Sequence, residues 1–239
     1  MLATNTDSNE KDFSHLEKQL DVAFKDKDLL EQAFTHRSYI NENRNNDHSH
    51  NERLEFLGDA VLELAVTRYL YDRYPETPEG ELTSWRAALV NAKMLSEIAK
   101  EINFGDYMLL SRGEEKETGK ARDYILANTM EAFLGALYLD QGYEICNDFI
   151  LRHILSKLDH VLENRLFEDA KSRFQEIAQE KTGITPNYTV TKEWGPDHEK
   201  TFRIGVYLGD QLIEEGEGLS KQEAEQEAAR NAMAKKQWQ

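Results

Sequence analysis

The chain has one cysteine among its 239 residues and no apolar stretch as long as a membrane span. A single cysteine excludes an internal disulfide and suits a reducing compartment, so we expect a cytoplasmic protein with no membrane association. Cys146 is expected to be a small buried apolar residue. The sequence also offers no Ser-His-Asp or Cys-His arrangement, which argues against nucleophilic catalysis by a side chain.

Positive charge is scarce. The chain carries 29 Lys+Arg against 45 Asp+Glu, for a net charge of −16. Affinity for nucleic acid comes largely from neutralising phosphates, so this balance taken alone argues against an RNA or DNA partner. The motifs described below point the other way.

The first two thirds of the chain show apolar residues at helical spacing, which predicts a mostly helical domain. Turn residues separate the periodic runs at 75–78 and 141–142. The Asn-rich segment 41–51 is predicted to be an exposed loop. The helical runs are 16–20, 29–34, 54–74, 82–98, 125–139 and 146–162.

The last third changes character. A helix is predicted at 171–181, followed by segments of period two at 188–194 and 201–208 and a third strand at 211–217. Ser220 can cap a final helix that runs to Lys236 and places Ala224, Ala228 and Ala232 on one face. The order α-β-β-β-α predicts a small α+β domain with both helices packed on one antiparallel sheet.

A stripe of carboxylates runs along the helix predicted at 51–66. Glu52, Glu55, Asp59 and Glu63 are spaced by 3, 4 and 4 residues, so they share one face of a helix that is otherwise apolar almost all round. Such a helix should be buried, and buried like charges are costly unless they are compensated. Arg53 is the only cationic residue near these carboxylates in the sequence. A divalent cation such as Mg²⁺ would relieve the repulsion; a solvent-exposed acidic face is the alternative.

With these motifs the chain resembles the ribonuclease III family. The segment Glu52-Arg-Leu-Glu-Phe-Leu-Gly-Asp59 resembles the hallmark motif of that family, and motifs at 34–39, 79–83, 113–115 and 125–136 support the resemblance. The last third resembles a double-stranded-RNA-binding domain through motifs at 174–176, 195–198, 216–218 and 220–225. The resemblance covers residues 13–237.

The resemblance implies an all-α endonuclease domain at 13–162, a linker at 163–169 and an α+β double-stranded-RNA-binding domain at 170–238, after a disordered tail at 1–12. It also implies a homodimer that hydrolyses both strands of an RNA duplex with Mg²⁺, for which Mn²⁺ may substitute. The products would be 5′-phosphate ends with short 3′ overhangs, and the targets ribosomal RNA precursors and structured messages.

The resemblance also assigns residues. Glu55, Asp59 and Glu131 match metal-ligand carboxylates, and Asp59 and Glu131 with Glu52 and Glu79 form the expected catalytic set. Phe56 matches an aromatic that enters the partner subunit, with an ordinary core position as the alternative. Glu63 matches no ligand, and His36 is expected to have a hydrogen-bonded packing role. The expected RNA contacts are Gln175, Glu176, His198 and Lys221.

Two departures stand out. Asn128 occupies a ligand position where many members have Asp; an amide can still ligate a metal, but we expect weaker Mg²⁺ binding. Residues 170–238 hold 10 Lys+Arg against 12 Asp+Glu, and Lys221 has Leu219 and Gln222 as neighbours where the family has a lysine cluster. We therefore expect weak RNA binding per domain, compensated by two domains in a dimer.

Two other functions remain open on the sequence. A non-catalytic double-stranded-RNA-binding regulator would bind RNA and never cut it. A helical interaction protein would use the acidic stripe structurally and show no change in stability with Mg²⁺.

Overall fold

The computed structural model describes residues 11–43, 49–116, 118–167, 169–195, 200–218 and 220–238. Contacts divide the chain into two compact units, 1–167 and 168–239. The first unit is helical and the second is α+β, which confirms the predicted fold class.

The first unit is built from nine α-helices within the described ranges. Its core contains a chain of aromatic rings in which Phe34, Phe104 and Phe133 meet edge to face, with centroids 4.9–6.2 Å apart. Cys146 is buried, as expected. The helices are α1 (Ser14–Leu20), α2 (Lys27–Phe34), α3 (Arg37–Glu42), α4 (Glu52–Arg73), α5 (Glu79–Val90), α6 (Ala92–Glu101), α7 (Gly119–Gln141), α8 (Tyr143–His153) and α9 (Leu158–Glu163).

Two predicted helical runs are interrupted in the structure. The run at 82–98 is split because Asn91 leaves the helical conformation and its side chain caps α6, accepting a hydrogen bond from the Met94 amide at 2.9 Å. The run at 146–162 is split by a 3₁₀ turn at Leu155–Lys157. Helix α3, at the start of the segment predicted as a loop, was not predicted. The centre of that segment, 44–48, lies outside the described residues.

Helices α4 and α7 cross at two glycines. A Cβ atom added to Gly58 would collide with the main-chain carbonyl of Glu131, and one added to Gly135 would collide with that of Leu54. The pairing of 54 with 135 and of 58 with 131 makes the two helices antiparallel at this crossing. Glycine at both positions allows the backbones to touch, which brings the carboxylate stripe of α4 to Glu131.

The prediction that α4 is buried all round is wrong. One face of the helix packs on the core through residues such as Leu62 and Val66, but Phe56, Leu64 and Tyr71 are 81%, 59% and 69% exposed. These three, with Ala60 between them, form the exposed apolar face of α4. The error arose because helical spacing shows which residues share a face and not whether another element of the same chain covers it.

The second unit has α10 (Ala170–Thr182), β1 (Asn187–Trp194), β2 (Thr201–Leu208), β3 (Gln211–Gly218) and α11 (Lys221–Lys236). The strands form one antiparallel sheet in the order β1-β2-β3, with Val190 opposite Ile204 and Ile204 opposite Gly216. The predicted alanine face of α11 is fully buried. A Cβ atom on Gly218 would lie 2.6 Å from the Ala224 amide nitrogen, so glycine allows α11 to lie directly on β3.

Across the described part of the chain, no helix has both the length and the apolar composition that crossing a bilayer requires.

Candidate active site

Three carboxylates meet at the crossing of α4 and α7. Glu55 and Asp59 are one helical turn apart on α4, and the backbone contact at Gly58 sets Glu131 of α7 beside them. Glu55 and Glu131 are half-buried, whereas Asp59 is exposed. The three predicted metal-ligand carboxylates are therefore neighbours, although 72 residues separate Asp59 from Glu131 in the sequence.

Burial and the neighbouring carboxylates change the pKa of Glu131 and of Glu55. Burial and the charges of Asp59 and Glu55 raise the pKa of Glu131 from 4.5 to about 8. Burial, followed by the charges of Glu52 and Asp59, also raises the pKa of Glu55. Negative charge is thus concentrated and uncompensated at this crossing, which is the condition under which carboxylates bind a cation.

An arginine from another helix lies beside each end of the stripe. At one end, Glu52 lies 3.5 Å from Arg37 Nη1 and 3.8 Å from His50 Nδ1. At the other end, Glu63 Oε2 lies 3.4 Å from Arg86 Nη1. Within the described ranges, no hydrogen bond or ion pair reaches the carboxylates of Glu55, Asp59 or Glu131. Among the described residues, the carboxylates in the middle of the stripe are the ones with no cation beside them.

The carboxylates are not gathered into a finished metal cage. In the residues that the structure describes, no group of three or more His, Cys, Asp or Glu side chains is arranged so that it could hold a metal ion as it stands. Their chemistry nevertheless fits a hard divalent cation, since all three are oxygen donors with no protein cation to neutralise them. Side-chain rotation would be needed to close such a site.

Asn128 lies on α7 three residues before Glu131 and is half-buried, so it shares the face that looks toward the carboxylates. The structure is consistent with an oxygen donor there.

His36 lies in a hydrogen-bonded network at the start of α3. Its Nδ1 is 2.8 Å from Ser38 Oγ, and Ser38 Oγ accepts a hydrogen bond from the Ser111 amide at 3.1 Å. Burial is the largest cause that lowers the pKa of His36. The histidine thus ties the start of α3 to the segment around residue 111.

Glu79 stands apart from the three carboxylates of its own chain. It begins α5, where its Oε1 accepts a hydrogen bond from Thr83 Oγ1 at 3.0 Å. It lines a cavity of about 650 Å³ whose walls include Leu70, Tyr71 and Arg86. The predicted catalytic set is therefore divided within one chain between the α4–α7 crossing and this cavity.

Phe56 is not a core residue. Its side chain projects into solvent beside Glu55, at one end of the exposed apolar face of α4, while the cavity lies near the other end of the same helix. A fully exposed phenylalanine next to an anionic site is costly in water unless another surface covers it.

The predicted RNA-binding residues belong to the second unit. Gln175 and Glu176 are exposed on α10. Lys221 is the first residue of α11, which Ser220 caps by accepting from the Glu223 amide, and its Nζ lies 5.8 Å from the centre of the Phe202 ring. His198 lies outside the described residues.

Sequence reasoning missed the cations that pair with the stripe. Arg37 and Arg86 lie 15 and 23 residues from their partners Glu52 and Glu63, on helices whose placement depends on the whole core. Periodicity carries no signal for such contacts. His50 is close to Glu52 in sequence, but it falls in the segment that we had predicted to be an exposed loop.

Comparisons with known proteins agree with this architecture. The family model described as Ribonuclease-III-like matches residues 26–158, and the double-stranded RNA binding motif matches residues 170–236. Among curated proteins, the chain is similar to Ribonuclease 3 of Enterococcus faecalis, at 47% identity over 92% of this chain and 95% of the relative. It is also similar to Ribonuclease 3 of Pelotomaculum thermopropionicum, at 45% identity over 92% and 91% of the two chains.

Among solved structures, the chain is similar to the nuclease domain of ribonuclease III from Campylobacter jejuni, at 43% identity and a TM-score of 0.55. That match covers 61% of this chain and 97% of the solved one. Two domain models in this order and near full-length similarity to Ribonuclease 3 proteins show that the chain belongs to the ribonuclease III family of endoribonucleases.

Proposed function

We propose that this protein is a Mg²⁺-dependent endoribonuclease that cleaves double-stranded RNA to 5′-phosphate products with short 3′ overhangs. The observation that carries the proposal is the uncompensated group of Glu55, Asp59 and Glu131 at the α4–α7 crossing. Burial and neighbouring charges raise the pKa of Glu131 and of Glu55 beside Asp59, and no cation of the protein lies between the three carboxylates, so they form a site suited to a divalent ion.

Glu55, Asp59, Asn128 and Glu131 would hold the metal, with Mn²⁺ able to replace Mg²⁺. A divalent ion held there would supply a water activated near neutral pH and would stabilise the leaving oxygen. The protein's own contribution is positional. The glycine contact keeps Glu131 against α4, and Arg37 with His50 fixes Glu52 at the edge of the site, where its carboxylate can orient water.

The homodimer would form through the exposed apolar face of α4. An isologous interface pairs the same surface of both subunits about a two-fold axis. If the axis passes near Leu64, at the centre of that face, two antiparallel α4 helices place Phe56 opposite residue 72, because both positions are eight residues from 64. Residue 72 lines the 650 Å³ cavity. The phenylalanine of one subunit would then fill the cavity of the other.

The same arrangement would reunite the catalytic set. Phe56 of one subunit is followed along α4 by Asp59, and Glu79 lines the cavity that receives this phenylalanine in the other subunit. Glu79 would therefore stand near the partner's carboxylates, and each active site would draw residues from both chains. Two sites related by a two-fold axis can cut both strands of one duplex.

The second unit would bind the duplex by its shape. Gln175 and Glu176 of α10 and His198 of the β1–β2 loop would contact sugar hydroxyls in successive minor grooves, while Lys221 would contact phosphates between them. The exposure of α10 at these positions and the place of Lys221 at the capped start of α11 support this assignment.

We propose that the enzyme acts in the cytoplasm on ribosomal RNA precursors and structured messages. We also keep the predicted division of the chain into a tail (1–12), an endonuclease domain (13–162), a linker (163–169) and a binding domain (170–238) as a proposal.

The test is cleavage of a labelled RNA hairpin with and without Mg²⁺. Wild type should cut only with Mg²⁺ or Mn²⁺, and Glu131→Ala should bind the hairpin without cutting it. Glu97→Ala is the matched control, because Glu97 is an exposed glutamate on α6, away from the carboxylate group. Binding without cleavage by the wild type, with either metal, would support the non-catalytic RNA-binding regulator instead.

A further inference from the structure

We propose that Arg86 is a positioning residue that holds Glu63 out of the divalent-cation site, an inference that rests on the metal-dependent function proposed above. Glu63 is the fourth carboxylate of the α4 stripe, and nothing in its spacing distinguishes it from Glu55 and Asp59. What distinguishes it is the Arg86 guanidinium, which α5 brings to α4 at this level.

The contact has a defined geometry. A single nitrogen, Nη1 of Arg86, lies 3.4 Å from Glu63 Oε2 and donates to Thr67 Oγ1 at 2.9 Å. Glu63 and Thr67 are one helical turn apart, so the guanidinium spans that turn of α4. The Arg86 side chain is 31% exposed and that of Glu63 is 42% exposed, so the pair is partly shielded from water and from salt.

Without this cation the stripe would extend by one carboxylate. Glu63 follows Asp59 by four residues, and side chains at that spacing are neighbours on a helix surface. Two adjacent carboxylates with no positive partner repel each other and attract a divalent ion. A cation held between Asp59 and Glu63 would compete for Asp59 and sit one turn away from Glu131.

The opposite end of the stripe supports this interpretation. Arg37 lies beside Glu52, as Arg86 lies beside Glu63, so an arginine from another helix stands at each end of the row. Within the part of the chain that the structure describes, the central carboxylates are the ones that lack such a cation. The protein's own cations thereby define where along α4 a metal ion is favoured.

The test counts bound Mn²⁺ per chain by paramagnetic resonance in full-length protein, together with the melting temperature of the metal-free protein. Arg86→Gln removes the charge but keeps a group that can donate to Thr67. Thr67→Val is the matched control, because it removes the hydrogen bond and keeps the charge pair. The double variant Arg86→Gln/Glu63→Gln removes both charges, and sedimentation confirms that all variants have the same oligomeric state.

Arg86→Gln should bind about one more Mn²⁺ per chain than wild type. It should also cleave RNA more slowly as Mn²⁺ or Mg²⁺ rises. The double variant should return to the wild-type number of ions and the wild-type metal dependence, and Thr67→Val should not differ from wild type in either measurement.

The metal-free Arg86→Gln protein should melt below wild type, because Glu63 and Asp59 then repel each other, and the double variant should recover the loss. An unchanged number of ions in Arg86→Gln, or a lowered melting temperature that the double variant does not recover, would show a merely structural contact and overturn the inference. The proposed function fails separately, and visibly, if wild type binds no Mn²⁺ at all.

Discussion

Replacing Glu131 by Gln should stabilise the metal-free protein at neutral and alkaline pH, although it destroys the proposed site. The carboxyl has a pKa of about 8 in the folded chain against an ordinary 4.5. Because the folded state binds this proton more tightly, the contribution of Glu131 to stability is full below pH 4.5 and is lost as the pH rises through about 8. Glutamine does not ionise, so it carries no free-energy cost of burying a charge at any pH.

The magnitude follows from the pKa difference. Each pKa unit corresponds to about 1.4 kcal/mol, so the full shift would amount to nearly 5 kcal/mol above pH 8. Glu131 is only half-buried, and solvent screening reduces this to about 1–3 kcal/mol. For a domain of this size, the melting temperature should rise by about 2–4 °C per kcal/mol.

The assay is thermal unfolding with a chelator at pH 5 and pH 8, with Glu97→Gln as the control. At pH 8 Glu131→Gln should have a higher melting temperature than wild type, and at pH 5 the two melting temperatures should be equal. Added Mg²⁺ should reverse the order at pH 8, because binding stabilises only the protein that has the site. If Glu131→Gln melts at or below wild type at pH 8 without metal, the proposed crowding of uncompensated charge is refuted.

Four further results are expected. Asn128→Asp should lower the Mg²⁺ concentration that gives half-maximal hairpin cleavage, because it adds a charge beside Glu131; an unchanged requirement would count against a ligand role. Phe56→Ala should raise the dimer dissociation constant in sedimentation by about 100-fold, because two buried rings are lost per dimer, whereas Leu139→Ala, an exposed position on α7, should not. Gly58→Ala should lower the free energy of unfolding in urea by about 1–3 kcal/mol, since its methyl group meets the Glu131 carbonyl. RNA affinity should fall only shallowly with salt in filter binding, given the near-neutral second unit; a steep slope would reveal many phosphate contacts.

The exposed face of α4 shows where sequence reasoning reached its limit. The apolar residues of this helix predicted burial on all sides, yet Phe56, Leu64 and Tyr71 are exposed in the chain taken alone. An apolar face on a helix indicates that something buries that face. The covering element can belong to the same chain or to another chain. The hydrophobic pattern does not say which of these applies.

The four carboxylates of the stripe show the same limit for charge. Their spacing alone does not distinguish Glu52, Glu55, Asp59 and Glu63 from one another. The structure separates them, because Arg37 of α3 and Arg86 of α5 lie beside the two ends and compensate their charge. Glu79, which the family motif groups with the others, lies at the cavity near the far end of α4.

The sequence by itself determined the two domain types, the order of most helices and strands, and the residue types that carry the chemistry, because helical and strand periodicities are local properties and the motifs are contiguous. The family resemblance also implied that Glu131 joins Glu55 and Asp59. Only the tertiary structure decided how the backbone brings them together, which carboxylates stay uncompensated, and which side of α4 faces water. Those outcomes depend on backbone contacts such as Gly58 with Glu131 and on charges brought from distant helices, and neither leaves a periodic trace in the chain.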